Sequence, residues 1–387
     1  MNHTYNSYCE PLKEIKAPAL VVDLDAFEAN IKWARENAGN KKIRIATKSL
    51  RSTELIKKIL DSSDIFQGLM CFTLDEAIWL RSLGFNDILM GYPTADQEAL
   101  DELGKNPHDI TLMVDLVQHL EHLEAVGKKH HTTISICLDI DLSMELPSVR
   151  FGVYRSSLNT RAKLKDFLDN FKRFSHLKIV GVMGYEAQIA GVMDKHAPLI
   201  KTLKSISNKQ LKLRRQKMVE MVTSYGHKLD FVNGGGTGSL HETKKEKCVT
   251  EVTVGSAFYA PVLFDHYEAF SLRPSMFFTL PIVRHPLPHI YTCLGGGYIA
   301  SGSTDPIKQP APYLPRGMKL LKHEGAGEVQ TPVEYHGEQK LKLGDIVMMR
   351  YAKAGEACER FDKIHLVRKN SYEGVTPTYR GEGKTFL

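Results

Sequence analysis

The residue whose chemistry stands out first is Lys48, which closes the run Ile43-Arg44-Ile45-Ala46-Thr47-Lys48 just before a helix-like stretch from Ser52 to Leu60. A lysine at the carboxyl end of a buried strand, at the mouth of a barrel or sheet, is partly desolvated. Desolvation lowers its pKa and frees the amine to attack carbonyls, which is Schiff-base chemistry. The structural alternative is a lysine that ends a strand and points into water. Two glycine-rich segments further along carry the second chemical signal. In Phe231-Val232-Asn233-Gly234-Gly235-Gly236-Thr237-Gly238-Ser239 a strand runs into glycines, which let backbone N–H groups approach an anion closely, and Thr237 and Ser239 add hydroxyls. About one strand later, Glu251-Val252-Thr253-Val254-Gly255-Ser256 ends in Gly-Ser. Each segment alone reads equally well as a glycine turn closing a strand.

The elements that must position these residues follow from the hydrophobic pattern. After an opening strand, Ala19 to Leu24, the strand candidates are Ile43–Lys48, Phe66–Cys71, Asp87–Tyr92, Ile110–Asp115, Ile134–Ile140, Lys178–Glu186, Asp230–Gly236 and Glu251–Ser256. Helical patterns separate most of them, one opening on a Thr73/Glu76 capping box. Strand and helix alternating about eight times predict a (β/α)8 TIM-type barrel, and the lack of a GxGxxG after the first strand argues against a doubly wound sheet. A phosphate in such barrels commonly lies between the loops after the seventh and eighth strands, which here are the two glycine segments. With Lys48 on the first barrel strand, a reactive lysine and a phosphate cradle share one mouth. That combination describes a pyridoxal 5′-phosphate site.

After about Ser271 the pattern changes to β-runs punctuated by prolines at 286, 288, 306, 310, 312 and 315: Met276–Val283, Ile290–Cys293, Gly297–Ala300, Ile346–Tyr351 and Ile364–Val367. The expected organisation is a barrel over residues 18–271 and a C-terminal all-β domain over 272–387. The opening strand 19–24 is a candidate for pairing with the second domain rather than the barrel.

Composition narrows the class. A chain of 387 residues with 42% hydrophobic content buries a large core, and a net charge of +6 suits anionic small molecules without arguing for nucleic acid. The lysine- and arginine-rich stretch Lys201 to Lys217 lacks interleaved aromatics and reads as a solvated helix before the seventh strand, and the histidines at 119, 122, 130 and 131 as surface residues. Six cysteines without CxxC spacing are expected to be reduced thiols. The polar start, with Glu10 and Glu14, does not fit a signal peptide, and no apolar run reaches membrane-spanning length. A cytoplasmic protein with a small-molecule partner, and neither nucleic acid nor membrane, is the expectation.

The segments APALVVDLDAFEANI, IRIATKSLRS, SVRFGV, GVMGYEAQIAG, FVNGGGTGS and TEVTVGS, together with the block Thr331 to Gly337, resemble the fold-type III pyridoxal-phosphate enzymes. Their barrel is alanine racemase-like. Within that group the chain is most similar to the D-threonine aldolase and D-serine dehydratase branch, over about Ala17 to Val367. The resemblance implies that Lys48 holds the cofactor, that Arg150 faces its phenolic oxygen, and that Tyr185 lines its ring. It also implies that Gly235, Gly236, Thr237, Gly255 and Ser256 cradle the phosphate and that Tyr259 reaches it. Relatives of this branch suggest a homodimer.

The chain departs from the branch where a His-x-Cys or His-x-Asp metal pair should follow a Gly-Asp-x-Val strand. After Gly344-Asp345-Ile346-Val347, Lys353 and Gly355 occupy those positions, and neither is a metal ligand as it stands. A register three residues on would align Glu356 and Cys358 instead. The expectation is that the usual divalent metal site is absent and that the Lys353 ammonium stabilises a developing alkoxide or anchors a carboxylate. Gln188 stands where aldolase relatives tend to carry histidine, so a general base is missing there. Three readings follow: a lyase, aldolase or dehydratase type, acting on a β-hydroxy amino acid of D configuration; an amino-acid racemase; or a non-catalytic pyridoxal-phosphate homeostasis protein, against which the β-domain speaks.

Overall fold

The structure is a computed structural model that describes residues 4–145 and 150–387. Strand β1 (Ala19–Asp23) precedes five strands that alternate with helices: β2 (Lys42–Ala46), β3 (Phe66–Cys71), β4 (Ile88–Met90), β5 (Ile110–Val114) and β6 (Ile134–Asp139). Two short paired strands, β7 (Met144–Glu145) and β8 (Arg150–Phe151), interrupt the series before β9 (Leu177–Gly184), β10 (Phe231–Gly234) and β11 (Glu251–Val254). Strands β2 to β6 and β9 to β11 close into an eight-stranded parallel barrel, sealed where Val254 of β11 pairs with Ile45 of β2. The alternating βα pattern therefore forms the expected barrel, with β10 and β11 as its seventh and eighth strands.

Alternation along each strand divides two cores. Ile43, Ile45, Leu69, Ile88, Leu112, Ile136, Val182 and Val252 belong to the large cluster shared with the helices, whereas Met70, Leu89, Met113, Cys137, Val180, Met183 and Phe231 form a separate cluster. A polar group completes the second layer. The buried Arg44 guanidinium holds Glu251 through two hydrogen bonds of 2.6 and 2.9 Å, meets Asp87 at 3.0 Å, and lies 5.1 Å from the Phe231 ring centroid. Asn233 donates to Glu251 and Thr253. Arg44 thus ties three strands together, because an unpaired charge there would carry a heavy desolvation penalty.

The remaining strands are β12 (Met276–Leu287), β13 (Ile290–Leu294), β14 (Ala311–Leu314), β15 (Lys319–Leu320), β16 (Gln330–Glu334), β17 (Ile346–Arg350), β18 (Lys363–Arg368) and β19 (Ser371–Pro377). They form a second, mostly antiparallel sheet with the path β15-β16-β13-β12-β1-β18-β19, β17 pairing with β12 and β14. Strand β1 sits inside it, antiparallel to β12 and parallel to β18. Its burial on both faces matches that central position.

Two expectations are corrected here. Gly297–Ala300 is not a strand, because Gly295 and Gly296 take φ of +79° and +117° and turn the chain out of the extended region. Strands β14, β16 and β19 have no counterpart among the expected runs, since Pro312, Pro332 and Gly374 interrupt their patterns. Pro312 is tolerated on β14, which pairs only with β17, and Pro332 lies beyond the two-residue β15 that covers the far end of β16.

Candidate active site

The site begins where β2 ends. The strand stops at Ala46, two residues short of the expected run, and Lys48 sits in a 3-10 turn, Thr47–Ser49. Thr47 starts that turn: its carbonyl accepts from the Leu50 and Arg51 amides while its hydroxyl donates to Met70 O at 3.0 Å. Lys48 is consequently exposed at the barrel's carboxyl end rather than buried, and its ammonium donates to the Tyr92 hydroxyl at 2.6 Å. Tyr92 follows β4 by two residues and carried no sequence motif; only its place just past a strand end could have suggested it.

The Gly-Ser exit of β11 packs against this turn. A Cβ on Gly255 would lie 2.8 Å from Ala46 O and 2.9 Å from Ser49 Cβ, so only glycine allows the approach. Ser256 Oγ then meets Ser49 Oγ at 3.1 Å. On the other side, the loop after β10 is held by Glu186. Its buried carboxylate accepts from Gly235 N at 3.1 Å, from Ser239 Oγ at 2.9 Å and from Thr243 Oγ1, and it is itself held by Arg215 Nη2 at 2.7 Å. Arg215, wholly buried, also binds Glu246 at 2.6 Å and Gly184 O at 3.0 Å. The basic stretch is the helix Pro198–Ser224 as expected, yet Arg215 is one of its inward residues.

This network revises the cradle. The Gly235 and Gly236 amides, expected to bind phosphate, are committed to Glu186 and to Ser239 Oγ at 3.1 Å. The amides of Thr237, Gly238 and Ser256 and the Thr237 hydroxyl find no acceptor among the described residues, and they are the donors left for an anion. Tyr259 is buried, its hydroxyl donates to Leu50 O at 2.9 Å, and it packs in the core behind the lysine turn. Tyr185 lies beside the loop, 3.3 Å from the position a Gly236 Cβ would take, and burial pushes its phenol up to about 12.

Arg150 is engaged by the Asp141 carboxylate, donates through Nε to Val153 O at 3.1 Å, and stacks 4.7 Å from the Tyr154 ring centroid. The arginine that reaches Tyr185 is Arg155, 5.6 Å from its ring centroid. Nearby, at the end of β6, burial and the neighbouring Asp115 raise the Asp139 carboxyl to about 7, against the pull of Arg155. Neither Arg155 nor Asp139 belongs to a motif.

The second sheet covers the lysine side of the mouth. Beyond β17, Tyr351 O and Ala352 O accept from Val262 N and Leu263 N, at 3.1 and 3.2 Å. Gly355, at φ +83°, lies so close to the lysine turn that a Cβ would be 2.1 Å from Lys48 O. Between these anchors Lys353 donates to Ser301 Oγ at 2.9 Å and lies 3.7 Å from Glu356. Burial lowers its pKa, with Lys308 and Lys48 acting in the same direction and Glu356 opposing. The alternative Glu356/Cys358 pair is not assembled. Glu356 accepts from Ser301 N and Oγ, while the Cys358 thiol faces Leu50 O at 3.4 Å and burial pushes it up to about 12. No group of three or more His, Cys, Asp or Glu residues placed to hold a metal occurs among the described residues. Gln188, in the aldolase-histidine position, is buried and donates to Leu142 O and Ser207 Oγ.

A closed parallel barrel with a lysine turn, two glycine exits and a covering β-sheet defines an α/β-barrel site for a phosphorylated cofactor. The family model described as alanine racemase, N-terminal domain, matches residues 22–261, and the chain belongs to that family. Its sequence is 23% identical over 387 aligned residues to the 3-hydroxy-D-aspartate aldolase of Paracoccus denitrificans (strain Pd 1222), covering 96% of this chain and 93% of the relative. Its fold resembles that of D-threonine aldolase from Filomicrobium marinum, with a TM-score of 0.80, 16% identity and 96% of each chain covered. It also resembles D-threo-3-hydroxyaspartate dehydratase from Delftia sp. HT23, with a TM-score of 0.76, 16% identity and coverage of 95% of this chain and 99% of the other. The family's cofactor is pyridoxal 5′-phosphate. The residues fit it, since the closely packed Gly255 brings Ser256 against the exposed lysine turn and the donors of Thr237, Gly238 and Ser256 are uncommitted among the described residues.

Proposed function

We propose that this chain is a pyridoxal-phosphate-dependent lyase that cleaves or dehydrates a β-hydroxy amino acid of D configuration. One observation carries the reading: the Lys48 turn and the Ser256 exit touch, so the amine and the phosphate donors share one side of one mouth. The similarity to an aldolase along nearly the whole length of both chains supports the reaction class.

When bound, the cofactor supplies the electron sink that makes bonds at the substrate's Cα labile. The chain's own residues do the rest. Lys48 holds the cofactor aldehyde, and Tyr92, 2.6 Å from Nζ, is placed to accept and return a proton at that nitrogen. Thr237, Gly238 and Ser256 hold the phosphate with fixed donors. Tyr185 and Arg155 line the far side, and Lys353 stands over the reacting side from the second sheet. We further propose a cytoplasmic homodimer, in line with six unbridged cysteines and with the absence, among the described residues, of any helix long and apolar enough to cross a membrane. Sedimentation of the holoenzyme tests the assembly.

The test of function is to incubate the holoenzyme with D- and L-β-hydroxy amino acids, with and without added divalent metal, and to follow aldehyde, ammonia and inverted isomer. Borohydride reduction should place the cofactor label on Lys48. Labelling elsewhere, or inversion as the only reaction, overturns the assignment.

A further inference from the structure

Backbone strain marks the exit of the lysine turn. Arg51 takes φ of +49°, a left-handed conformation that residues with a side chain rarely adopt. Strain of that kind persists only where the surroundings hold it, and it gathers at functional sites. Arg51 is held on every side. Its amide donates to Thr47 O at 2.9 Å, closing the turn around Lys48, and its carbonyl accepts from Tyr379 N at 2.9 Å. Its guanidinium binds Glu359 and lies 5.2 Å from the Phe72 ring centroid.

Tyr379 belongs to the segment that follows β19, residues 378–387. Thr378 anchors that segment on the second domain, its amide donating to Asp362 O at 3.1 Å and its hydroxyl to Phe361 O at 2.6 Å. Tyr379 is then buried, with its ring edge-on to Trp79 at 4.9 Å and its hydroxyl donating to Glu76 at 3.1 Å. Phe386 closes the aromatic group, with ring centroids 5.9 Å from Tyr379, 5.6 Å from Trp79 and 6.3 Å from Phe72. Glu382 accepts from the Thr53 hydroxyl at 3.2 Å, at the start of the helix Thr53–Leu60. Glu76 links the segment back to the turn, since burial raises its carboxyl to about 7 against the pull of Thr47, the Phe72 amide and Tyr379. The segment therefore meets both ends of the lysine turn, Thr47 through Glu76 and Arg51 directly. The barrel's strands close without it.

We infer that Tyr379 and Arg51 are positioning residues for Lys48: the segment 378–387 clamps the exit of the lysine turn and so aims the amine at Tyr92 and the cofactor aldehyde. The inference rests on the assignment of Lys48 in the lyase reading and adds what directs that amine. Lys48 is exposed and donates to Tyr92, so its direction is set by the backbone at its base. A long side chain magnifies any rotation there, and a misplacement of about 1 Å at a reacting atom costs up to ~100-fold in rate. Gly355 and Cys358 meet the turn at Lys48 O and Leu50 O. The clamp meets it at Arg51, where the chain leaves for the helix.

Holoenzymes of the wild type, Tyr379→Ala, Tyr379→Phe, Phe386→Ala and Arg368→Met are compared in affinity for pyridoxal 5′-phosphate, in the pH titration of the bound cofactor's absorbance and in urea stability. Their kcat and KM are measured on D-threonine and D-3-hydroxyaspartate. Arg368 ties β18 to Asp25 and Glu28, at 3.1 and 2.6 Å, without touching the turn, so Arg368→Met reports lost stability alone. Tyr379→Ala should weaken cofactor affinity at least ~10-fold, shift the absorbance titration, and lower kcat about 10- to 100-fold with KM changed less than about 3-fold. Tyr379→Phe keeps the ring and should recover most of the loss. Phe386→Ala changes a half-buried side chain at the far end of the clamp and should move affinity and absorbance the same way, by about 3- to 10-fold in affinity, whether or not Tyr379→Ala folds. Lost stability with affinity and absorbance unchanged in the alanine variants, the pattern expected of Arg368→Met, overturns the clamp and leaves Lys48 standing. A wild type in which borohydride labels a residue other than Lys48 removes the lyase reading and the clamp together.

Discussion

Replacing Arg215 by methionine should be among the most damaging single changes outside the reacting groups, and the structure sets its size. The guanidinium is wholly buried and makes ion pairs of 2.7 Å to Glu186 and 2.6 Å to Glu246, plus a hydrogen bond to Gly184 O. Its Nε has no partner, so its value lies in those two pairs. Burial raises the Glu246 pKa even with Arg215 beside it, which measures how poorly the site tolerates a bare carboxylate. Removing one partner of a buried pair costs about 3–5 kcal/mol, or roughly a thousandfold in the folding equilibrium. Methionine fills part of the volume, so electrostatics dominates the loss.

That origin has a signature in pH. Without Arg215, the folded-state pKa of Glu246, already raised by burial, rises further above its unfolded value. Carboxyls of that kind contribute fully below the unfolded pKa, and the contribution is lost as pH rises toward the folded one. Urea unfolding of wild type and Arg215→Met should therefore differ more at pH 8 than at pH 5, by about 2 kcal/mol. Because Glu186 holds Gly235 N and Ser239 Oγ, cofactor affinity at pH 8 should also fall at least ~10-fold in the molecules that remain folded. A loss below about 1 kcal/mol, or one independent of pH, would refute the argument that this arginine neutralises the carboxylates behind the phosphate loop.

The pH dependence of stability has a second source in Glu76, which is fully buried, accepts from Phe72 N and Tyr379 Oη, and is raised by burial to about 7. Its contribution is complete below the unfolded pKa near 4 and is lost by about pH 7; Glu76→Gln should flatten the unfolding free energy across that window by on the order of 3 kcal/mol. Asp139 should give the bound cofactor's visible absorbance an inflection near pH 7, and Asp139→Asn should abolish it; an unchanged titration would place the carboxyl away from the cofactor. Gly355→Ala, strained at φ +83° and clashing with Lys48 O, should lower activity by more than tenfold and shift the absorbance of the bound cofactor. The same change should leave the far-UV circular dichroism of the barrel intact.

The barrel was legible because hydrophobic runs alternated with amphipathic stretches. The Lys48 turn and the Gly-Ser exit were legible because each ends such a run. The rest depended on facts that period does not carry. Arg44 was read as part of an apolar run, and its role appears only once β4 and β11 bring Asp87 and Glu251 to it. Arg215 looked like one more cation on a solvated helix until that helix packed against β9 and the glycine loop. Gly235 has the composition of a phosphate ligand, and the buried Glu186 redirects its amide. Tyr92, Arg155 and Lys308 lie just past elements or in turns, and Asp139 is the last residue of β6, where neither 2.0 nor 3.6 periodicity says which way a side chain faces.

The second sheet is tied to the lysine turn rather than merely appended to the barrel, and the place of β1 explains why. This strand lies near the start of the chain but between β12 and β18, strands that lie more than 250 residues later. The helix Leu24–Asn37 leads directly from it toward β2. The same short segment therefore fixes the second sheet and delivers the chain into the strand that ends at Lys48. Loops from that sheet return to the lysine turn, Gly355 against Lys48 O and Cys358 against Leu50 O. A displacement of the sheet must move Lys353 and the Lys48 turn together, since the Gly355 backbone and the Cys358 thiol both pack against that turn.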